Sequence, residues 1–121
     1  MVIRREIMNY TNLFMVRGDS FGFDLEVVGV NTDLDEAYFS CREDVETEEI
    51  QYIFQKTIGD GITKVKSTED SIIYHFELDP EDTEDVDIGN YYYDVEVNTA
   101  DGRVDTIIGP AKFKVMGGVK Y

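Results

Sequence analysis

The stretch Gly89-Asn-Tyr-Tyr-Tyr-Asp-Val-Glu-Val-Asn-Thr-Ala-Asp-Gly-Arg-Val-Asp-Thr-Ile-Ile-Gly-Pro-Ala-Lys-Phe-Lys-Val115 decides the fold class, because it has the pattern of a β-hairpin. The first half alternates with period two, as a strand with one buried face does. Its apolar face is formed by Tyr91, Tyr93, Val95 and Val97. Ala100-Asp101-Gly102 then predicts a turn, since Asp-Gly supplies the positive φ angles that a hairpin needs. A break at Gly109 and a last strand follow.

The same alternation recurs towards the N-terminus and predicts further strands over about 20–28 and 71–79. Shorter β-prone runs lie near 12–16, 37–42, 51–56 and 62–66. Asp79-Pro80 and the acidic residues after them predict one short helical turn near 80–87. Seven or eight short strands with so little helix predict an all-β fold, an antiparallel immunoglobulin-like β-sandwich. A small barrel is the alternative, because strand count does not distinguish open edges from closure.

Length and composition predict one domain. The chain has 121 residues, 15 Phe and Tyr and no Trp, which favours strands over helices. We expect a single β-sandwich over residues 12–121. Residues 1–11 are expected to form an N-terminal extension, either ordered or disordered. Cys41 is the only cysteine, so no intrachain disulfide forms, and its position next to Phe39 in the alternation predicts a small buried apolar residue.

The charge of the chain restricts its partners. The formal net charge is −15 and the isoelectric point about 4.2. Such a surface repels phosphate backbones and anionic lipid heads, so we expect neither a nucleic acid nor a membrane partner. No run of about 20 apolar residues predicts a membrane span, and we expect synthesis and folding in the cytoplasm.

No set of residues predicts catalysis, and we expect no enzyme. His75, the only histidine, lies in mid-strand on the face opposite the core, without a visible nucleophile or oxyanion hole. The acidic run 77–87 departs from calcium-loop spacing, because Glu84 stands where glycine is needed. Arg17-Gly18-Asp19 is interpreted as a structural turn. We therefore predict no catalytic, cofactor-binding or metal-binding residue, although two-carboxylate chemistry across strands stays open among 26 acidic residues.

Contact with a partner is the remaining function that single residues indicate. The apolar run 12–16 predicts an edge strand or a strand swapped with another subunit. Its residues Leu13, Phe14 and Val16 are therefore predicted partner contacts. Tyr92 lies on the outward face of its strand, and an exposed tyrosine offers amphipathic contact area at a low cost in conformational entropy. Tyr92 is the fourth predicted contact.

Several segments in order resemble a family of structural proteins of tailed phages and prophages from Gram-positive hosts, similar to the N-terminal domain of baseplate upper proteins. The resemblance spans residues about 12–116 and is carried by these segments: Val16-Arg-Gly-Asp-Ser-Phe21, Leu34-Asp-Glu-Ala-Tyr-Phe-Ser-Cys41, Phe54-Gln-Lys-Thr-Ile-Gly-Asp-Gly-Ile62, Leu78-Asp-Pro-Glu-Asp-Thr83, Gly89-Asn-Tyr-Tyr-Tyr-Asp-Val95 and Thr106-Ile-Ile-Gly109.

The resemblance implies a β-sandwich component of the virion, without catalysis, that packs against other copies of itself or other tail and baseplate subunits. Such proteins often continue into a shaft or receptor-binding region, whereas this sequence stops at Tyr121, so an adaptor or assembly module is expected. The alternative is a β-sandwich that binds a cell-surface saccharide through Tyr92 and neighbouring loops, with or without a cation.

Overall fold

The computed structural model describes residues 2–5, 12–30 and 32–119, and for residues 2–5 it describes the backbone alone. Nine strands and one 3₁₀ turn lie in these ranges. The strands are β1 (Val2–Arg5), β2 (Leu13–Val16), β3 (Phe21–Val28), β4 (Glu36–Arg42), β5 (Tyr52–Ile58), β6 (Gly61–Ser67), β7 (Ser71–Leu78), β8 (Gly89–Asn98) and β9 (Val104–Met116), with the 3₁₀ turn at Pro80–Asp82 between β7 and β8.

The strands form two packed layers. Their hydrogen-bonded order is β1-β3-β7-β6-β5-β4-β8-β9-β2, and β5 meets β6 at only two residue pairs, Thr57 with Gly61 and Ile58 with Ile62. The chain folds over at this point. The first layer is β1-β3-β7-β6 and the second is β5-β4-β8-β9-β2, with β2 parallel to β9. This arrangement is an immunoglobulin-like β-sandwich, as the sequence predicts.

Aromatic rings hold the two layers together. Phe23 of the first layer lies 5.4 Å from Phe39 of the second, measured between ring centroids, and stacks on Phe76 at 5.1 Å. Edge-to-face contacts then continue through the second layer, in Phe54, Tyr93 and Phe113. These side chains are the inward members of the alternating patterns, which confirms that Tyr91 and Tyr93 face the core. Cys41 is also fully buried, and burial raises the pKa of its thiol to about 12.

Two sequence-based boundaries differ from the structure at the ends of the chain. Residues 2–5 fall in the expected extension but form β1, which pairs antiparallel with β3 from Val2 opposite Val28. The edge of β3 offers unpaired backbone groups, and β1 satisfies those over Leu25–Val28. Residues 1 and 6–11 lie outside the described residues. At the other end, the expected break at Gly109 is absent, since β9 continues through Gly109-Pro110 while its register with β8 shifts.

The connection between β7 and β8 contains the short helical turn that the sequence predicts near 80–87. It is a single 3₁₀ turn over Pro80–Asp82. The Asp82 carboxylate accepts a hydrogen bond from the Asp79 N–H at 2.7 Å, which satisfies the first free donor locally. The hairpin turn before β9 is present, with Gly102 at a φ of 90°. Asp-Gly chemistry therefore predicts this turn correctly.

Tyr91 anchors the start of β8 to this connection. Its hydroxyl donates to the Asp87 carbonyl at 2.6 Å, the arrangement known as a tyrosine corner in immunoglobulin-like sandwiches. We expect Tyr91→Phe to lower the free energy of unfolding by about 1 kcal/mol, because the partly buried hydrogen bond to the Asp87 carbonyl is lost. Urea denaturation followed by circular dichroism measures the loss. Tyr92→Phe, an exposed neighbour, is the matched control, and equal stability of both variants would contradict the corner.

Candidate functional site

The outward face of the second layer carries a row of alternating tyrosines and cations. In the strand register, Tyr52 lies opposite Arg42, Arg42 opposite Tyr92, and Tyr92 opposite Lys112. We call these four residues the tyrosine–cation row. The neighbours of Arg42, Tyr92 and Lys112 along their own strands point into the core, so the pleat turns the row outward. Tyr52 and Tyr92 are 45% and 36% exposed.

Strand β2 extends this face at the sheet edge. Phe14 lies opposite Lys114 of β9 and is 66% exposed, and Val16 has the same orientation along the strand. Phe14, Val16 and Tyr92 therefore share one face, with β9 between β2 and Tyr92. Leu13 is a correction, because it is buried in the core and its side chain is not available to a partner. The continuous apolar run hides the alternation that turns Leu13 inward.

A hollow of about 660 Å³ opens beside the row, between Tyr52, Tyr92 and the acidic loop 43–49. Arg42 fixes this loop by donating from Nη2 to the Thr47 carbonyl at 2.9 Å. The Nε atom of Arg42 is buried and finds no hydrogen-bond partner in the part of the chain that the structure describes. Glu49 and Gln51 complete the polar wall. The hollow thus combines two tyrosine rings with carboxylate, amide and guanidinium groups.

The opposite end of the same face is acidic. Glu36, Asp94 and Glu96 line a smaller hollow of about 370 Å³ together with Tyr38. Burial raises the pKa of the Asp94 carboxyl, and the positive charge of Arg42 partly opposes this increase. Tyr38 donates to the Glu36 carboxylate, and this hydrogen bond raises the pKa of the Tyr38 phenol. The outward face therefore has a cationic end, formed by Arg42, Lys112 and Lys114, and an acidic end, formed by Glu36, Asp94 and Glu96.

His75 lies on the outward face of the first layer, as its position in the alternation predicts. Its Nδ1 is 2.6 Å from Asp24 Oδ1, directly across the strand pair, and its Nε2 is 2.8 Å from Glu77 Oε1. Gly22 makes room for this group, because a Cβ there would lie 2.5 Å from Glu77 Oε1. Hydrogen bonds to Glu77 and then Asp24 raise the pKa of His75.

The raised pKa of His75 makes folding stability depend on pH. The two carboxylates favour the imidazolium, so their stabilisation is complete below the unfolded-state pKa of about 6.5 and is lost as pH rises through the higher folded-state pKa. We expect the stability difference between the native chain and His75→Gln to shrink from pH 6 towards alkaline pH. Urea denaturation at intervals of half a pH unit measures it. A difference that stays constant would contradict the ion pairs.

The Arg17-Gly18-Asp19 segment is a packed turn. Arg17 Nη1 donates to the Val86 carbonyl at 3.3 Å, and the Gly18 N–H donates to Thr83 Oγ1 at 2.9 Å. Gly18 has a φ of 81°, and the Asp19 N–H donates back to the Val16 carbonyl. The interpretation as a structural turn is confirmed. Within residues 2–5, 12–30 and 32–119, no group of three or more His, Cys, Asp or Glu side chains is placed to hold a metal ion.

Comparison with known proteins shows no family for this chain. No family model matches the chain, and no curated protein matches it. Among solved structures, murine CRIg is similar at 9% sequence identity and a TM-score of 0.44, with 95% of this chain and 97% of that chain covered. No helix in the described residues is long and apolar enough to cross a membrane.

Proposed function

We propose that this chain is a non-enzymatic structural subunit of a phage or prophage virion, an adaptor or assembly module of the tail or baseplate. The observation that carries the proposal is the tyrosine–cation row on an open strand face. Tyrosine and arginine are enriched at the energetic centres of protein interfaces, because they bring large contact area and directed hydrogen bonds. Tyr52, Arg42 and Tyr92 supply both on adjacent strands.

The hydrogen-bonded strands that carry the row also support docking of a protein. Four hydrogen-bonded strands carry it, and the inward side chains on those strands belong to the aromatic core. A rigid face loses little conformational entropy on binding. Phe14, exposed on the adjacent edge strand, adds apolar area to the same face. A partner that covers Phe14, Tyr52 and Tyr92 buries the three most exposed aromatic side chains of this layer.

The tail or baseplate assignment rests on the resemblance of the six segments given above. Two of them supply residues of the outward face, since Gly89–Val95 contributes Tyr92 and Leu34–Cys41 contributes Glu36 and Tyr38. The acidic surface fits an assembly of protein subunits better than contact with the packaged genome. The proposed partners are other tail or baseplate subunits, and the proposed location is the virion.

Mass spectrometry of particles purified after prophage induction in the host tests this proposal. We expect the chain in the particle fraction, at a fixed copy number relative to the tail proteins, and in tails separated from the capsids. A chain that is abundant in the lysate and absent from purified particles would contradict the proposal. Immunogold labelling of intact particles then places the chain along the tail.

A second candidate function is binding of a cell-surface saccharide, and the 660 Å³ hollow favours it. Tyr52 and Tyr92 offer ring faces, and Glu49 and Gln51 offer hydrogen-bonding groups beside them. A glycan array, run with and without calcium, measures this activity. Signal that disappears in Tyr52→Ala would support the saccharide, and silence under both conditions would remove it.

A further inference from the structure

Two hollows on the outward face of the second layer join into one groove. The hollow of about 660 Å³ beside loop 43–49 and the hollow of about 370 Å³ at the acidic end share Arg42 and Tyr52 in their linings. We call the two hollows together the acidic groove. We propose that the acidic groove binds a basic, extended segment of a different protein, with arginine or lysine side chains in the hollows. The proposal names the chemistry of the partner, and it rests on the proposed function for that partner being a virion subunit.

The lining of the acidic groove carries a large excess of negative charge. Within the described ranges it contains six carboxylates, and Arg42 is its one cation. The carboxylates are Glu43, Asp44 and Glu49 in the larger hollow and Glu36, Asp94 and Glu96 in the smaller one. None of the six forms an ion pair with another described residue. A partner that brings positive charge is therefore complementary to this lining.

The cations of the tyrosine–cation row do not neutralise these carboxylates. Arg42 Nη2 donates to the Thr47 carbonyl at 2.9 Å, so the guanidinium holds loop 43–49 at the side of the groove. Lys112 and Lys114 lie on β9, beyond the strand that carries Tyr92, and they line neither hollow. The positive charge of the outward face is thus beside the groove, and the negative charge is inside it.

Tyrosine rings stand next to the carboxylates in both hollows. Tyr52 and Tyr92 line the larger hollow, and Tyr38 and Tyr52 line the smaller one. The face of a tyrosine ring attracts an ammonium or guanidinium group, and the flat guanidinium of arginine also stacks on it. Arg42 and Tyr38 are four residues apart on β4, which is about 13 Å at the rise of a strand. In an extended segment laid along β4, basic residues four positions apart would reach one hollow each.

The remaining polar groups of the lining favour a peptide over a metal ion. Two side-chain atoms are buried without a hydrogen-bond partner in the part of the chain that the structure describes, Arg42 Nε and Asn98 Oδ1, and both residues line the groove. An unpaired donor and an unpaired acceptor suit an occupant that offers both kinds of group, as a peptide does. A second copy is disfavoured as the source of the segment, because each copy carries a net charge of −15.

Titration with a blocked peptide in which arginine alternates with glycine tests the proposal. Nuclear magnetic resonance of the ¹⁵N-labelled chain follows binding at about 0.01 M salt, where screening is weak. We expect the amide signals of Tyr52, Tyr92 and loop 43–49 to shift. The matched control peptide carries citrulline, which keeps the shape of arginine without its charge, and we expect it to bind at least about tenfold more weakly. No binding of the arginine peptide up to about 1 mM, or equal binding of the two peptides, would overturn the proposal.

Two double variants separate the groove from the overall charge of the chain. Glu49→Gln/Glu96→Gln removes one carboxylate from each hollow, whereas Glu69→Gln/Glu84→Gln removes two exposed carboxylates that line neither hollow. Both variants change the net charge equally. We expect the arginine peptide to bind the first at least about fivefold more weakly than the native chain, and the second within about twofold of it. Circular dichroism checks that both are folded, and equal weakening in the two would overturn the proposal.

The outcome for the groove is distinguishable from the outcome for the proposed function. A chain that is present in particles but does not bind the arginine peptide keeps its assembly function and loses the basic partner. Silence of this peptide together with a signal on the glycan array would assign the larger hollow to a saccharide and overturn the proposal. Absence of the chain from particles removes the proposed function, and with it the virion subunit as the source of the segment, whatever the peptide does.

Discussion

Replacing Phe39 with alanine is expected to lower the free energy of unfolding by about 3–5 kcal/mol. Phe39 is fully buried, and its ring contacts Phe23 and Phe76 of the first layer as well as Phe54 and Tyr93 of the second. Truncation removes these contacts and leaves a cavity between two sheets that cannot collapse freely. Urea denaturation followed by circular dichroism measures the loss.

Phe14→Ala is the matched control for Phe39→Ala. It deletes the same ring from a side chain that is 66% exposed on the same layer. We expect its free energy of unfolding to stay within about 0.5 kcal/mol of the native value. Equal losses in the two variants, or a loss below about 1 kcal/mol for Phe39→Ala, would mean that the two layers do not pack as described.

Neutralising Asp82 is expected to cost about 3 kcal/mol. Its carboxylate is 2.9 Å from Lys56 Nζ, and this ion pair joins β5 to the 3₁₀ turn at Pro80–Asp82. Lys56 is only 8% exposed. Asp82→Asn keeps an oxygen for the Asp79 N–H but leaves the Lys56 ammonium buried without a counter-charge. Such a charge is far more costly than the intact pair is stabilising.

The double variant Lys56→Met/Asp82→Asn separates charge from shape. It removes both charges and retains the length of the Lys56 side chain, so we expect it to recover stability to within about 1 kcal/mol of the native chain. Chemical denaturation of the native chain, both single variants and the double variant completes the thermodynamic cycle. Purely additive losses would show that the two residues do not interact, contrary to the structure.

Period-two alternation accounts for the parts of the fold that the sequence predicts well. Strands β3, β7 and β8 each bury an alternating series made up almost entirely of aromatic and aliphatic residues, so both the strand and its buried face can be predicted from the sequence. Strand β1 is not readable, because Val2–Arg5 is four residues long and depends on the edge of β3. The continuity of β9 is hidden as well, since Gly and Pro normally interrupt strands.

The candidate site was only partly predictable for a different reason. The sequence indicates Tyr92 and Phe14 separately. Tyr92 alternates with core residues of its strand, and Phe14 lies in the apolar run 12–16, which is predicted to be an edge strand. Arg42, Tyr52 and Lys112 join Tyr92 only through the register of four strands, and positions so far apart in sequence give no local signal. The outward orientation of Lys112 and Lys114 could have been predicted, because they alternate with Phe113 and Val115, which are buried.

The copy number of a Tyr92→Ser variant in purified particles tests the central claim most directly. The matched control is Val65→Ser, which removes another exposed apolar side chain, 58% exposed on β6 of the first layer. Loss of an interface anchor costs at least about 2 kcal/mol, so we predict at least tenfold fewer copies of Tyr92→Ser per particle and an unchanged number of Val65→Ser. Native copy numbers for both folded variants would contradict assembly through the tyrosine–cation row.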